Sequence, residues 1–88
     1  MKWNIEYSKR ARDFIEEHGI RDKVRDSVNG FILRITGLNI NIDVKKLKGA
    51  WEGYYRIRKG KVRIVLRASS VSRTIFVDIV DFRGSVYK

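Results

Sequence analysis

The sequence predicts an α+β domain: an N-terminal strand, then a two-helix antiparallel hairpin, packed on a curved and mainly antiparallel sheet with no long C-terminal helix. Three observations carry this prediction. The first residues alternate apolar and polar, the stretch from residue 9 to 36 repeats its apolar residues at helical spacing, and from residue 54 onward β-rich runs are separated by short turn signals.

In "WNIEYS", Trp3, Ile5 and Tyr7 alternate with polar residues, as expected of a strand with one buried face. Ser8 is an N-cap candidate, after which Ala11, Phe14, Ile15 and His18 recur on one helical stripe until Gly19, a C′ candidate. A second helix is predicted from Arg21 or Asp22 to Thr36, with Val24, Val28, Phe31, Ile32 and Ile35 on its apolar stripe and Gly37 ending it. Gly30 inside that helix weakens it by ~1 kcal/mol relative to alanine. The tight Gly19-Ile20 link makes the two helices an antiparallel hairpin. "LNINIDVKKLKG" then reads as extended chain entering a short strand over Val44 to Leu47, followed by strands at about 54–59, 61–67 and 73–82.

The 88 residues read as a single domain, 1–88, and a chain of this size buries only about 60 to 65% of its unfolded surface on folding. With no cysteine there is neither a disulfide framework nor a thiolate metal site. No uncharged run approaches the ~20 apolar residues of a membrane span, and "MKWNIEYSKR" lacks the apolar block of a signal peptide. The expectation is a cytoplasmic protein with no membrane partner and no cofactor.

The net charge is +10, and its placement is uneven. Residues 1–43 carry eight Lys/Arg against seven Asp/Glu, and residues 69–88 carry three against two. Residues 44–68 carry nine, Lys45, Lys46, Lys48, Arg56, Arg58, Lys59, Lys61, Arg63 and Arg67, against Glu52 alone. Such concentration on a small domain points to a polyanionic partner, nucleic acid before others.

Most of these cations fall in "YYRIRKGKVRIVLR", which reads as a β-hairpin. With Lys59-Gly60 as a two-residue turn, Arg56 faces Arg63, Arg58 faces Lys61 and Tyr54 faces Val65 on one side of the sheet. Tyr55, Ile57, Val62, Ile64 and Leu66 then face the helices. Like charges directly opposite cost roughly 0.2 to 1 kcal/mol per pair, and strain of this kind belongs to working sites. Arginine forks hydrogen-bond phosphate bidentately, so guanidiniums on a rigid strand surface make a phosphodiester clamp. On this reading a one-residue shift of the turn scatters the cations over both faces.

The run "KKLKGAWEGYYRIRKGKVRIVL", followed by "VDFRGSVY", resembles the RelE/ParE superfamily of toxins from toxin-antitoxin pairs, and most of all its archaeal RelE-like members. The likeness spans nearly the whole chain. Its most specific parts are "LKG" before the "YRIR" strand, "VRIV" after a short turn, and an arginine closely followed by "VY". The resemblance implies a RelE-like, microbial-ribonuclease type of fold and a ribosome-dependent endoribonuclease that cleaves mRNA in the ribosomal A site without a metal. It also implies an acidic RelB-like antitoxin partner, a 70S-type ribosome as platform and a toxin-antitoxin hetero-oligomer. Carried over by position, the family's basic pair on the third strand falls on Arg56 and Arg58, its fourth-strand arginine on Arg63, its C-terminal arginine on Arg83 and its catalytic tyrosine on Tyr87. Some relatives have lysines in place of Arg56 and Arg58 and continue into a helix beyond the tyrosine, so Tyr87 is expected to be exposed or mobile here.

The chemistry can be weighed separately. RNA cleavage by its own 2′-OH needs a base, in-line alignment, stabilised phosphoryl charge and protonation of the leaving oxygen. His18 is the single histidine and lies far in sequence from the basic strands, so it reads as helix-end structure. Asp78 and Asp81, three apart in a strand, point to opposite faces, which argues against a two-metal site. The arginines remain for charge stabilisation, with Arg63 and Arg83 on the scissile phosphate and Arg56 and Arg58 orienting the backbone. Tyr87 remains for proton transfer, its phenol activated by neighbouring cations. Lys45, Lys46, Lys48, Lys59, Lys61 and Arg67 are general phosphate contacts, and Tyr54 and Trp51 either stack on bases or pack at the sheet edge. Two other readings stay open: a gyrase poison on the same fold, and a non-catalytic RNA or ribosome binder.

Overall fold

The computed structural model describes residues 2–82. The elements run β1 (Asn4–Tyr7), α1 (Lys9–His18), α2 (Arg21–Ile35), β2 (Asp43–Lys46), a 3-10 turn (Gly49–Trp51), β3 (Tyr55–Lys59), β4 (Val62–Ser69) and β5 (Thr74–Phe82). They form one five-stranded sheet in the order β1-β5-β4-β3-β2. The β2-to-β5 meander is antiparallel throughout, and β1 lies parallel to β5 at one edge. This is the α+β architecture expected, helices on one face of the sheet.

Local chemistry explains the helix ends. The Ala11 N–H donates to Ser8 Oγ at 3.1 Å, and Ser8 Oγ donates in turn to the Asp78 carbonyl at 2.6 Å, so one hydroxyl caps α1 and ties it to β5. Gly19 ends α1 at φ +61°, a left-handed value that a side chain would resist. Gly30 also has its reason: a Cβ there would lie 3.3 Å from Ile42 Cγ2, where the chain leaving α2 passes back over the helix.

The core forms between the helices and the inner sheet face. Ala11, Ile15, Val24, Val28 and Phe31 meet Ile57, Val62, Ile64, Leu66, Ile75, Val77 and Val80, all buried, with Ile5, Tyr7, Val44 and Tyr55 packed around them. One helix assignment needs correction. Ile35, expected on the buried stripe of α2, is 42% exposed, as is Leu33. Ser27 is buried instead, and its hydroxyl donates to the Lys23 carbonyl at 2.9 Å.

The hairpin register also differs from the sequence expectation. Arg56 pairs with Val65, Ile57 with Ile64, Arg58 with Arg63 and Lys59 with Val62, so the turn is Gly60-Lys61 rather than Lys59-Gly60. Gly60 takes φ +61° at the first turn position, where a II′-type turn needs glycine. Moving both turn residues by one changes the paired numbers by two, so every side chain keeps its face. The expectation that a one-residue shift would scatter the cations was therefore mistaken, and Tyr55, Ile57, Val62, Ile64 and Leu66 do face the helices. What changed is which cations oppose which.

Candidate nucleic-acid interface

The sheet face turned away from the helices carries the basic residues, arranged in rows across the strands. Register places Asp43, Arg58, Arg63 and Asp81 opposite one another on β2, β3, β4 and β5. The next row is Lys45, Arg56, Val65 and Ile79. The first row thus reads minus, plus, plus, minus: the like-charge pair Arg58/Arg63 is flanked on each side by a carboxylate. Asp43 is the closer participant, accepting from Arg58 Nε at 2.8 Å and from an Arg56 terminal nitrogen at 3.2 Å. One carboxylate therefore bridges two guanidiniums from below.

Sequence reasoning did not single out Asp43, since it sits just outside the basic segment and its role depends on the β2–β3 register. Its presence answers why the strand pair accepts so much positive charge. Half-exposed ion pairs are individually worth at most about 1 kcal/mol, but here they offset a repulsion of similar size.

Burial sharpens the site. The Arg56 side chain is only 12% exposed while that of Arg58 is 46% exposed. Val65 and Ile79 on this outer face are buried, an apolar floor beside the cations that strand alternation alone would place toward solvent. Arg56 Nε and Arg63 Nε are buried without a hydrogen-bond partner. An unsatisfied buried donor costs about 1 to 3 kcal/mol, which an oxyanion reaching these nitrogens would recover.

The other predicted contacts divide. Lys45 shares the outer face and lies opposite Arg56, whereas Lys46 pairs with Tyr55 on the inner side and Lys48 precedes the 3-10 turn. Lys59 pairs with Val62, again on the inner side. Lys61, expected opposite Arg58, is in the turn, with its ammonium 5.2 Å from the centre of the Phe82 ring. The expected Arg56/Arg63 and Arg58/Lys61 pairs are thus replaced by Arg58/Arg63 and by Arg56 facing Lys45 and Val65. Arg67 lies on the outer face near the far end of β4, its guanidinium 4.2 Å from the Phe76 ring centre. Tyr54 makes an edge contact to Trp51 at 5.1 Å between ring centres. Arg83 and Tyr87 lie outside the described residues.

The remaining titratable groups belong to the framework. His18 packs between Phe14 and Phe82 in tilted and edge-on contacts, with ring centres 4.2 and 4.8 Å away, at the end of α1. Asp78 and Asp81 diverge as expected: β5 bulges opposite Val65/Leu66, Asp78 takes Arg10 of α1 at 3.3 Å, and Asp81 stays in the outer row. No group of three or more metal-ligating side chains occurs among the described residues. Burial pushes the Tyr7 phenol above the usual tyrosine range, partly opposed by Arg25 and Arg21.

No family model and no curated protein matches the chain. Solved structures do. The RelB-RelE antitoxin-toxin complex from Methanococcus jannaschii is 26% identical over 89% of this chain and 89% of that one, with a TM-score of 0.64. The RelBE2 toxin-antitoxin complex from Mycobacterium tuberculosis is 21% identical over 94% of this chain and all of that one, TM-score 0.62. A YoeB/ParE toxin from Agrobacterium tumefaciens is 20% identical over 92% and 99% of the two chains, TM-score 0.66. The helices on a mostly antiparallel five-stranded sheet are those of RelE-like toxins, and the resemblance to the RelE/ParE superfamily holds at the level of the fold.

Proposed function

From a RelE-like toxin fold that carries an arginine row on its open sheet face, we propose that this protein is the toxin of a type II toxin-antitoxin pair and acts as a ribosome-dependent, metal-independent mRNA endoribonuclease. The observation that carries the reading is the cluster Arg56, Arg58 and Arg63 on one open sheet face, whose guanidinium forks take an oxyanion acceptor. A phosphodiester supplies such an acceptor, and guanidinium forks match its geometry.

In the proposed scheme Arg63 and Arg83 stabilise the charge that develops on the scissile phosphoryl oxygens. Arg56 and Arg58 hold and orient the backbone, exchanging Asp43 for phosphate. Tyr87, by its family resemblance, takes the proton from the attacking 2′-OH or orients that hydroxyl. The 2′ oxygen forms its bond to phosphorus as the bond to the 5′ oxygen breaks, and the leaving 5′ oxygen takes its proton from water. With so little acid/base equipment the domain relies on the ribosome to align the codon, so naked RNA is cut far more slowly than ribosome-bound message.

The proposed antitoxin is an acidic chain that folds on binding. Leu33, Ile35 and Leu38, exposed at and just beyond the end of α2, support a seat for an amphipathic helix.

The test is translation of a defined message on purified ribosomes with mapping of new 5′ ends, beside an Arg63→Ala/Tyr87→Phe double variant. New ends in the decoding-site codon that vanish in the variant are expected. No new ends from either protein would transfer the reading to a gyrase poison or a passive binder.

A further inference from the structure

At the far end of the outer face from the hairpin turn lies a cleft of about 270 Å³ lined by Glu6, Tyr54, Arg67 and Phe76, with Tyr7, Ser8, Val77 and Asp78 behind them. Its polar groups are not equally committed. The Ser8 hydroxyl is used by the α1 cap and the Asp78 carbonyl, and the Asp78 carboxylate is paired with Arg10. The side chains of Glu6 and Arg67 make no hydrogen bond or ion pair among the described residues, although both carry charge and line one cleft. What Arg67 does make is a stack on Phe76, its guanidinium carbon 4.2 Å from the ring centre. A guanidinium lying on a ring presents its second face outward, and that planar cationic face is a platform for another π-system.

Position links the cleft to the arginine row. Arg63 and Arg67 lie on the same strand and the same outer face, with a bulge between them at Val65/Leu66. Four strand residues span about 13 Å, a distance that neighbouring nucleotides of one extended strand bridge. Resting on the proposed nuclease reading, we infer that this cleft is a nucleobase subsite selective for guanine, for a nucleotide adjacent to the one held by Arg56, Arg58 and Arg63. The base stacks on Arg67, with Tyr54 beside it. Glu6 pairs with Phe76 in the β1–β5 register and so stands at the rim of the same stack. Guanine alone among the four bases presents two adjacent donors, N1–H and N2–H, on its Watson–Crick edge, and a carboxylate's two oxygens accept both. Adenine, cytosine and uracil each set at least one acceptor against that carboxylate. Stacking supplies affinity for any base, and Glu6 supplies the choice.

The experiment needs neither phosphate nor ribosome. Guanosine, adenosine and cytidine are titrated into the intact protein while backbone and aromatic resonances are followed by NMR. Guanosine is expected to shift Glu6, Tyr54, Arg67 and Phe76 selectively and to bind at least about five-fold tighter than adenosine or cytidine, a modest share of what a bidentate base contact is worth. Glu6→Gln, at an exposed strand position, is expected to abolish that preference while stacking persists, and Phe76→Leu to weaken all three nucleosides. Equal affinity for the three, shifts confined to other surfaces, an undiminished preference in Glu6→Gln, or no binding would each overturn the inference. Because nothing is cleaved in this assay, failure of the nuclease reading on ribosomes is recorded separately and would leave a guanosine-selective response standing.

Discussion

Replacing Asp43 by asparagine tests whether the carboxylate under the arginine row competes with RNA. Asp43 accepts from Arg58 at 2.8 Å and from Arg56 at 3.2 Å, so a phosphate held by the same guanidiniums must share them with a fixed negative charge. The three side chains are 41%, 46% and 12% exposed, which argues for a screened interaction rather than an interior one. Taking about 6 Å between carboxylate and phosphate and an effective dielectric of about 40 to 80, Coulomb's law gives about 0.7 to 1.4 kcal/mol of repulsion. Removing it should tighten binding of single-stranded RNA about 3- to 10-fold at low salt. The freed charge also raises the salt slope by about 0.7 for one further phosphate neutralised. The half-exposed Arg58 pair contributes at most about 1 kcal/mol to the free domain, and loss of the more buried Arg56 pair adds to that cost. The assay is fluorescence anisotropy of a labelled oligouridylate against salt, with thermal melts of both proteins alongside. Unchanged or weaker binding by a folded Asp43→Asn protein would refute competition and show that the carboxylate acts by holding Arg56 and Arg58 in place.

Three other outcomes follow from the geometry. Ser8→Ala removes both the α1 cap and the tie to Asp78, and is expected to lower stability by about 1 to 2 kcal/mol, read from urea denaturation. A lysine pair at the clamp, Arg56→Lys/Arg58→Lys, separates orientation from proton transfer: cleavage is expected to fall as bidentate contacts are lost, and a strong rise would move the base from Tyr87 to a lysine. Tyr7 has a folded-state pKa raised by burial against the opposing fields of Arg25 and Arg21. Its contribution to stability is therefore complete below the ordinary tyrosine value of about 10 and is lost as pH rises through the higher folded value, so alkaline unfolding of Tyr7→Phe should show a shallower pH dependence.

What could be read from the chain was whatever depends on neighbours in sequence. Ser8 and Gly19 marked the ends of α1 because capping is settled within one turn of helix. The alternation of Ile57, Ile64 and Leu66 against Arg56, Arg58 and Arg63 divided the hairpin into a core face and a cationic face, and that division survived an error in the turn because strand parity does not depend on it. The tertiary structure decided what lies across the sheet. Gly60 can supply a positive φ at either turn position, so only packing of the whole hairpin selected Arg58 rather than Arg56 as the partner of Arg63. Asp43 reaches its arginines across a strand boundary that no local pattern marks. Arg67, Phe76 and Glu6 come from three strands, one of them paired in parallel from the far end of the chain. Val65 and Ile79 are buried on the face where alternation beside arginines suggests solvent. Local rules act over a few residues through backbone geometry, whereas charge pairing and clefts depend on register, which is chosen by the burial of the entire core.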